Sequence, residues 1–428
     1  MQKIQFTNIA MIQTFMSRKS FDNAFDPELQ NTVASIIKDV KTNGDAAIIK
    51  YTKKFDNADN SNIKFSPDEI NESYDKTDPK VIKALEHAYN RVCNYHSKQL
   101  PSNHIYTDDS GTKLGWNWHP LDSAGLYVPG GLASYPSTVI MTAAVAKTAG
   151  VKRIISCFPT PNNDFNPAIL AACKICGIDE IYRIGGAQAI AAMSYGSETI
   201  IPINKIFGPG NKYVAEAKRQ VFGKVGIDMI AGPSEILVIT DNKSNPEWIA
   251  MDLLSQAEHD PDASVYLICD DADFIDIIIQ EAWNFIEKSP RKDIITKSFT
   301  NNAYCFEVND IINEASDIAN IIAPEHIEIA TINPEQYLPK ITNAGAIFLG
   351  QYTPEAIGDY IAGPSHVLPT SQTAKFSSGI GVSDFMRRSS IIECTKESFR
   401  QLAPDTELLA RTENLAAHAD SIKIRNEK

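Results

Sequence analysis

Long apolar runs are missing: nothing in the chain nears the roughly 18 consecutive apolar residues of a membrane span. The N-terminal stretch MQKIQFTNIAMIQTFMSRKS breaks its apolar residues with Gln, Thr and Asn, so it lacks the continuous apolar core of a secretory signal. A cytoplasmic location with no membrane partner is therefore expected. Positive charge is scarce too. Lys and Arg number 40 against 53 Asp and Glu, a formal net charge of −13. This excludes nucleic acid as the main partner, because neutralising phosphates needs clustered Lys and Arg. The seven cysteines are an odd number without framework spacing, which fits reduced thiols. Cys173 and Cys176 form C-K-I-C inside a helical pattern. No second CxxC completes a tetrahedral zinc site, so core packing is preferred over a metal or redox role. Two catalytic signatures are also absent. Gly208-Pro-Gly210-Asn-Lys-Tyr213 begins like G-x-G-x-x-G and ends on tyrosine. His326 is followed by Ile327 and Glu328, so no HExxH occurs.

What is present is an ordinary globular composition, 43% hydrophobic and 22% charged over 428 residues. That length suggests two or three domains. The first hundred or so residues carry apolar spacings of helical period, as in PELQNTVASIIKDVKTNGDAAIIKYTKKF. From Ala124 onward strands and helices alternate: AGLYVPGG, KRIISCF, EIYRIGG and NKIFGPG are strands with helices between them. The alternation resumes with SEILVIT, ASVYLICD, HIEIAT and AGAIFLG. Apolar strands, short loops and intervening helices predict parallel α/β sheets covered on both faces. The last forty residues, polar and helical, read as an arm.

Ligands of open α/β sheets sit beyond the carboxyl ends of the strands. The loops to inspect are YVPGGLASYPS, RIGGAQ, FGPGNKY, AGPSE, APEH and FLGQYTPEAIGDYIAGPSHVLPT. FGPGN reads equally as a phosphate-binding turn at a helix start and as a plain tight turn. Of the eight histidines, those at 87, 96, 104 and 119 stand among ordinary polar neighbours and read as surface or structural. Gln256 and His259, three apart, share one helix face. With Asp359 and His418 they would supply two nitrogens and two oxygens, a donor set suited to zinc. The spacing itself is weakly specific, and a solvated glutamine beside a helix-terminal histidine accounts for it equally simply. Pro324-Glu325-His326 sets an acid beside an imidazole; sharing a pocket requires an irregular turn, since strand neighbours face opposite ways. A helix-stop turn with a solvated carboxylate is the simpler reading of those three residues.

The segments YVPGG, GGAQAIAA, KIFGPGN, DMIAGPSE, DLLSQAEHDPDA, APEHIEI, YTPEAIGDYIAGPSHVLPT, FSSGI and ENLAAH together resemble the histidinol dehydrogenase family, in the same order and across nearly the whole chain. The resemblance implies two successive oxidations, L-histidinol to L-histidine through bound L-histidinal, with two NAD+. It implies one zinc per subunit on Gln256, His259, Asp359 and His418, the last contributed by the other subunit of a homodimer with shared active sites. Substrate contacts carried over are Ser234, Gln256, His259, His326, Asp359, Glu413 and His418, with His366 nearby. Cofactor contacts are Tyr127, Gln188 and Asn211. His326 is implied as the base and Glu325 as the group that activates water.

The fold implied is α/β, with two incomplete Rossmann-like parallel-sheet domains, a helical N-terminal segment and a C-terminal helical arm, in an intertwined homodimer. The expected boundaries are an N-terminal arm over 1–22, a first α/β domain over 23–123 plus 236–382, an NAD-binding domain over 124–235 and a C-terminal arm over 383–428. A zinc metallohydrolase acting on a related amino or imidazole compound is the alternative activity. Glu413 and His418 are five apart, about 140° around one ideal helix, so both reach one substrate only from its flanks or across a bend. The chain departs from the family at T-A-A-V-A, with Thr142 and Val145 in place of Asn and Pro, and at Ser365 in place of Asn.

Overall fold

The computed structural model describes residues 1–5, 8–21, 26–59, 62–130 and 135–426. Two parallel sheets organise them. A five-stranded sheet runs in the order Glu180–Tyr182, Arg153–Cys157, Ser123–Tyr127, Lys205–Phe207, Gly226–Ile227. A six-stranded sheet runs Gln2–Gln5, Ala303–Glu307, Ser264–Cys269, Glu235–Thr240, His326–Ala330, Ala346–Leu349. Every position of SAGLY, EILVIT, SVYLIC and HIEIA is buried, as expected of strands covered by helices on both faces. Helix starts follow simple chemistry: Asn166 and Asn245 each cap a helix whose first residue is proline. A small antiparallel sheet of Met386–Glu393, Lys113–Pro120 and His104–Thr107, mostly exposed, is an addition to the expected elements.

Packing redraws the expected boundaries. Residues 23–123 are expected with 236–382, yet helices Pro27–Asp56 and Pro79–Ser97 cover the five-stranded sheet. Val33, Ile36 and Ile48 share a core with Ile155 and Ile190, while Leu85 and Val92 pack with Val139 and Ile140. The physical reason is burial: an apolar sheet face left bare loses about 1.5–3 kcal/mol for each large side chain, and these amphipathic helices supply the cover. Gly44, at φ +52, breaks the long helix, and a Cβ there would lie 2.1 Å from Glu198 Oε2. Val367, Ile380, Val382 and Phe385 return to the same core, with Phe385 stacked 3.8 Å from Phe207. The segment expected as an N-terminal arm supplies an edge strand, and Ile12 and Met16 are buried in the six-stranded unit.

At the other end, helices Lys396–Thr412 and Ala416–Asn426 pack on one another and leave Leu402, Leu408, Leu409, Leu415 and Ile424 exposed. The order of the five-stranded sheet reverses between Ser123–Tyr127 and Lys205–Phe207. A crevice is expected at the carboxyl ends of that strand pair.

Candidate active site

Tyr127 closes the central strand of the five-stranded sheet, and its hydroxyl accepts from Gly186 N–H at 3.0 Å. Gln188, 1% exposed on helix Gly186–Tyr195, has no hydrogen-bond partner at either amide atom. Thr160 Oγ1, on the neighbouring loop, is likewise buried and unpartnered. The Pro159 ring packs tightly here: a Cβ on Gly130 or on Gly185 would meet it at 2.5 Å. Gly208, at φ +109, has room for no side chain, since its Cβ would sit 2.1 Å from Tyr127 O. Lys218 Nζ donates to Gly208 O at 3.0 Å and pairs with Asp228, whose Oδ2 accepts from Gly208 N–H at 2.7 Å. FGPGN forms a tight turn at the start of helix Lys212–Val221. Asn211, exposed, spends its side-chain oxygen on Tyr213 N–H and Val214 N–H, the amides a phosphate would use.

In the six-stranded unit the polar groups gather at the amino ends of the strands. Ala323, at φ +50, ends helix Asn313–Ile322, and after Pro324 the chain enters strand His326–Ala330. Glu325 and His326 meet at the backbone of one residue of the adjacent strand. Glu325 Oε2 accepts from Glu235 N–H at 3.0 Å, and His326 Nδ1 lies 3.1 Å from Glu235 O. A carbonyl only accepts, so Nδ1 carries the proton and donates it. Nε2 is left with no hydrogen-bond partner, facing Asp359 Oδ1 at 3.6 Å and Glu355 Oε1 at 3.8 Å. The irregular turn required for a shared pocket is thus present, and the solvated-carboxylate reading fails because Glu325 is buried.

Burial sets the charges. It pushes the Glu325 carboxyl up to about 8 and that of Glu355 up to about 7. For His326 burial opposes protonation, but the carboxylates of Glu325, Glu355 and Asp359 outweigh it and hold the imidazole well above its ordinary range. Asp359 is also buried, yet His326, His366 and His259 hold it down at about 2. His259 and His366 go the other way, lowered chiefly by burial. One imidazole of the three therefore favours its proton in this arrangement.

Glu355 is the member of this cluster missed from sequence. With its amide nitrogen turned toward the carboxylate, Gln256 donates to Glu355 at 2.7 and 3.0 Å, and its oxygen accepts from Ser234 Oγ at 3.3 Å. The opposite amide orientation would set oxygen against oxygen. Ser255 Oγ also donates to Glu355 at 3.0 Å, and Glu355 N–H donates to Glu328 Oε1 at 2.7 Å. The available signal was spacing: Glu355 and Asp359 are four apart on helix Glu355–Tyr360, and so share a face. Among the described residues, His326, Glu355 and Asp359 are the His, Cys, Asp and Glu side chains whose ligand atoms lie within 4.8 Å of one another.

Of the expected zinc set, Gln256 joins this cluster through Glu355, and Asp359 belongs to it directly. His259 stands in the turn just beyond helix Pro246–Ala257 rather than within it, its N–H on Gln256 O at 3.2 Å, and its charge is coupled to Asp359. His366 bridges the two units, with Nδ1 3.1 Å from Asp359 O and Nε2 3.2 Å from Thr138 Oγ1. Glu413 and His418 are exposed on the C-terminal helices, apart from the cluster within one chain. Glu413 caps the end of helix Lys396–Thr412 and His418 stands on helix Ala416–Asn426, with Asn414 at φ +60 between them, so the ideal-helix angle does not constrain them. Thr142 donates to Thr138 O at 2.7 Å one turn from the His366 contact, Val145 is buried in the core, and Ser365 accepts from Val367 N–H at 3.3 Å.

Unpartnered buried polar groups at the edge of one parallel sheet and a buried acid–imidazole cluster at the edge of the other belong to an α/β enzyme. The chain matches the histidinol dehydrogenase family over residues 19–426. It is 49% identical over 93% of its length to the histidinol dehydrogenase of Rhodospirillum rubrum, covering 92% of that protein. It is 50% identical, with the same coverages, to that of Ruegeria pomeroyi. The crystal structure of histidinol dehydrogenase from Elizabethkingia anophelis superposes with a TM-score of 0.93 at 36% identity, covering all of this chain and 98% of that one. The chain belongs to the histidinol dehydrogenase family.

Proposed function

We propose that this chain is an NAD-dependent L-histidinol dehydrogenase, oxidising L-histidinol through bound L-histidinal to L-histidine at the close of histidine biosynthesis. The observation that carries the reading is the unpartnered Nε2 of His326, buried 3.6 Å from Asp359 and beside Glu325. Alcohol oxidation needs a base that takes the hydroxyl proton as hydride leaves; His326 Nε2 accepts it when the imidazole is neutral with its one proton on Nδ1, a form that a cation bound among the surrounding carboxylates would favour over the imidazolium they otherwise stabilise. The carboxylates of Glu355 and Asp359 stabilise the imidazolium that results. Histidinal is held rather than released, because a free aldehyde invites side reactions. Glu325, with its pKa pushed up to about 8, is matched to removing a proton from water near neutral pH. The gem-diol so formed gives its proton to His326 in the second oxidation.

NAD, bound at Tyr127, Gln188 and Asn211, supplies the hydride acceptor. The unsatisfied Gln188 amide and the glycine-lined edge fit such a ligand. The unit built on residues 124–235 is the cofactor-binding domain. A zinc ion fits Gln256, His259 and Asp359: burial keeps His259 neutral and its neighbours keep Asp359 ionised, the protonation states metal ligands require. That ion would act as a template for the substrate's amine and imidazole. His418 of the partner subunit completes the set, and Glu413 of the partner subunit adds a substrate contact. Ser234, Gln256, His259, His326, Asp359 and His366 contribute the remaining contacts. The arm over 383–428, with its exposed leucines, is what a homodimer with shared sites needs. No helix among the described residues is long and apolar enough to cross a membrane, and a cytoplasmic enzyme is proposed.

The test is stoichiometry. With limiting L-histidinol and excess NAD+, two NADH should form per histidinol consumed. A ratio near one removes the second oxidation, and substrate loss without NADH would assign the cluster to hydrolysis.

A further inference from the structure

Helix Pro27–Asp56 ends beside the cofactor edge. Asp56 is its last residue, and Asn57 follows at φ +50. Asn57 Nδ2 donates to Asn162 Oδ1 at 2.8 Å, which ties the helix end to the loop after strand Arg153–Cys157. Asp56 Oδ2 is buried and has no hydrogen-bond partner. Burial pushes this carboxyl up to about 6, and its charge acts on the Tyr127 hydroxyl that receives Gly186 N–H. Thr52 Oγ1, four residues earlier on the same helical face, is buried and unpartnered as well. So are Thr160 Oγ1 and both amide atoms of Gln188. Buried polar groups are nearly always hydrogen-bonded, so four such residues around one sheet edge mark a place shaped for a polar ligand.

A carboxylate accepts and does not donate, so Asp56 selects the donors of that ligand. The pyrophosphate of a dinucleotide would be repelled; the neighbouring hydroxyls of a ribose match two carboxylate oxygens. We propose that Asp56 accepts from the 2′-hydroxyl of the cofactor's adenosine ribose and thereby sets a preference for NAD over NADP. The assignment rests on the NAD reading above. A 2′-phosphate in this position removes the donor and brings a second anion against a poorly solvated carboxylate.

The test is calorimetric titration of the full chain, without histidinol, by ADP-ribose and by 2′-phospho-ADP-ribose. The unsubstituted protein should bind the first and discriminate against the second. Asp56→Asn should lose roughly tenfold in ADP-ribose affinity, the scale of a hydrogen bond to a charged group, and gain about as much for the 2′-phosphorylated ligand. Asp56→Ser should shift the ratio in the same direction, and serves if the Asn variant folds poorly. An unchanged ratio, or equal losses for both ligands, would overturn the assignment while leaving NAD binding intact. Failure of the unsubstituted protein to bind either ligand would overturn the NAD reading itself.

Discussion

The two parallel sheets differ in how far their buried polar groups are linked to one another. At the carboxyl edge of the five-stranded sheet, Gln188, Thr160, Thr52 and Asp56 hold buried polar atoms without partners. At the amino edge of the six-stranded sheet, Glu325, His326, Glu328, Glu355, Asp359 and Gln256 are linked to one another or to backbone, while His326 Nε2 and Glu328 Oε2 within that set lack a hydrogen-bond partner. An unsatisfied edge gains when a ligand supplies the missing bonds, which suits reading a cofactor. A linked set of acids around an imidazole holds a proton at a chosen atom, which suits catalysis. The two sets of buried polar groups lie at opposite ends of their strands.

Removing the base should break the catalytic side of this contrast and produce the largest effect. His326→Asn keeps a hydrogen bond to Glu235 O within reach but offers no base, and kcat should fall by about 10²–10⁴ for both histidinol and histidinal. Zinc content and NAD+ affinity should stay as they were. A variant that oxidises histidinal at an undiminished rate while failing on histidinol would restrict His326 to the first step.

The contrast also explains what could be read from sequence. Strand and helix alternation was legible because strands buried on both faces are continuous apolar runs, as in EILVIT and SVYLIC. The carboxyl-end rule leads to Tyr127 and FGPGN, which flank the point where strand order reverses. The same rule misdirects in the second sheet, because AGPSE and APEH precede their strands and put Glu325 and His326 at amino ends. Glu355 was hidden because its role depends on Gln256, about a hundred residues away in the chain, and no local pattern announces such a contact. The covering role of residues 27–97 was likewise invisible, since an amphipathic helix does not state which sheet it faces.

A second substitution tests whether the cofactor edge is shaped by its own buried ion pair. Lys218 and Asp228 are almost fully buried, and between them they hold both peptide groups of Gly208. Lys218→Met strands the carboxylate of Asp228, and such losses run at about 3–5 kcal/mol of stability. Lys218→Met combined with Asp228→Leu should recover much of that loss. The double variant should still show a raised KM for NAD+, because Gly208 is no longer held against Tyr127, with KM for histidinol unchanged. Equal increases in both KM values would mean that the pair supports the whole fold rather than this edge.

The smallest of these effects is the most specific to an unsatisfied edge. In Gln188→Met a side chain of similar volume replaces an amide whose two polar atoms have no partner. A buried group left unsatisfied costs about 1–3 kcal/mol, so the ligand-free variant should be more stable to heat than the unsubstituted protein. Affinity for NAD+ should nevertheless drop by roughly tenfold, because the ligand now meets a thioether where it had found an amide. Saturating NAD+ should then raise the thermal midpoint of the unsubstituted protein more than that of the variant, since stabilisation by a ligand grows with its affinity. Gln256 provides the opposite case. Its amide already bonds to Glu355 and Ser234, so Gln256→Met leaves Glu355 short of a donor and should destabilise the protein even without ligand. If both substitutions move stability in the same direction, the division between a waiting edge and a satisfied one is wrong.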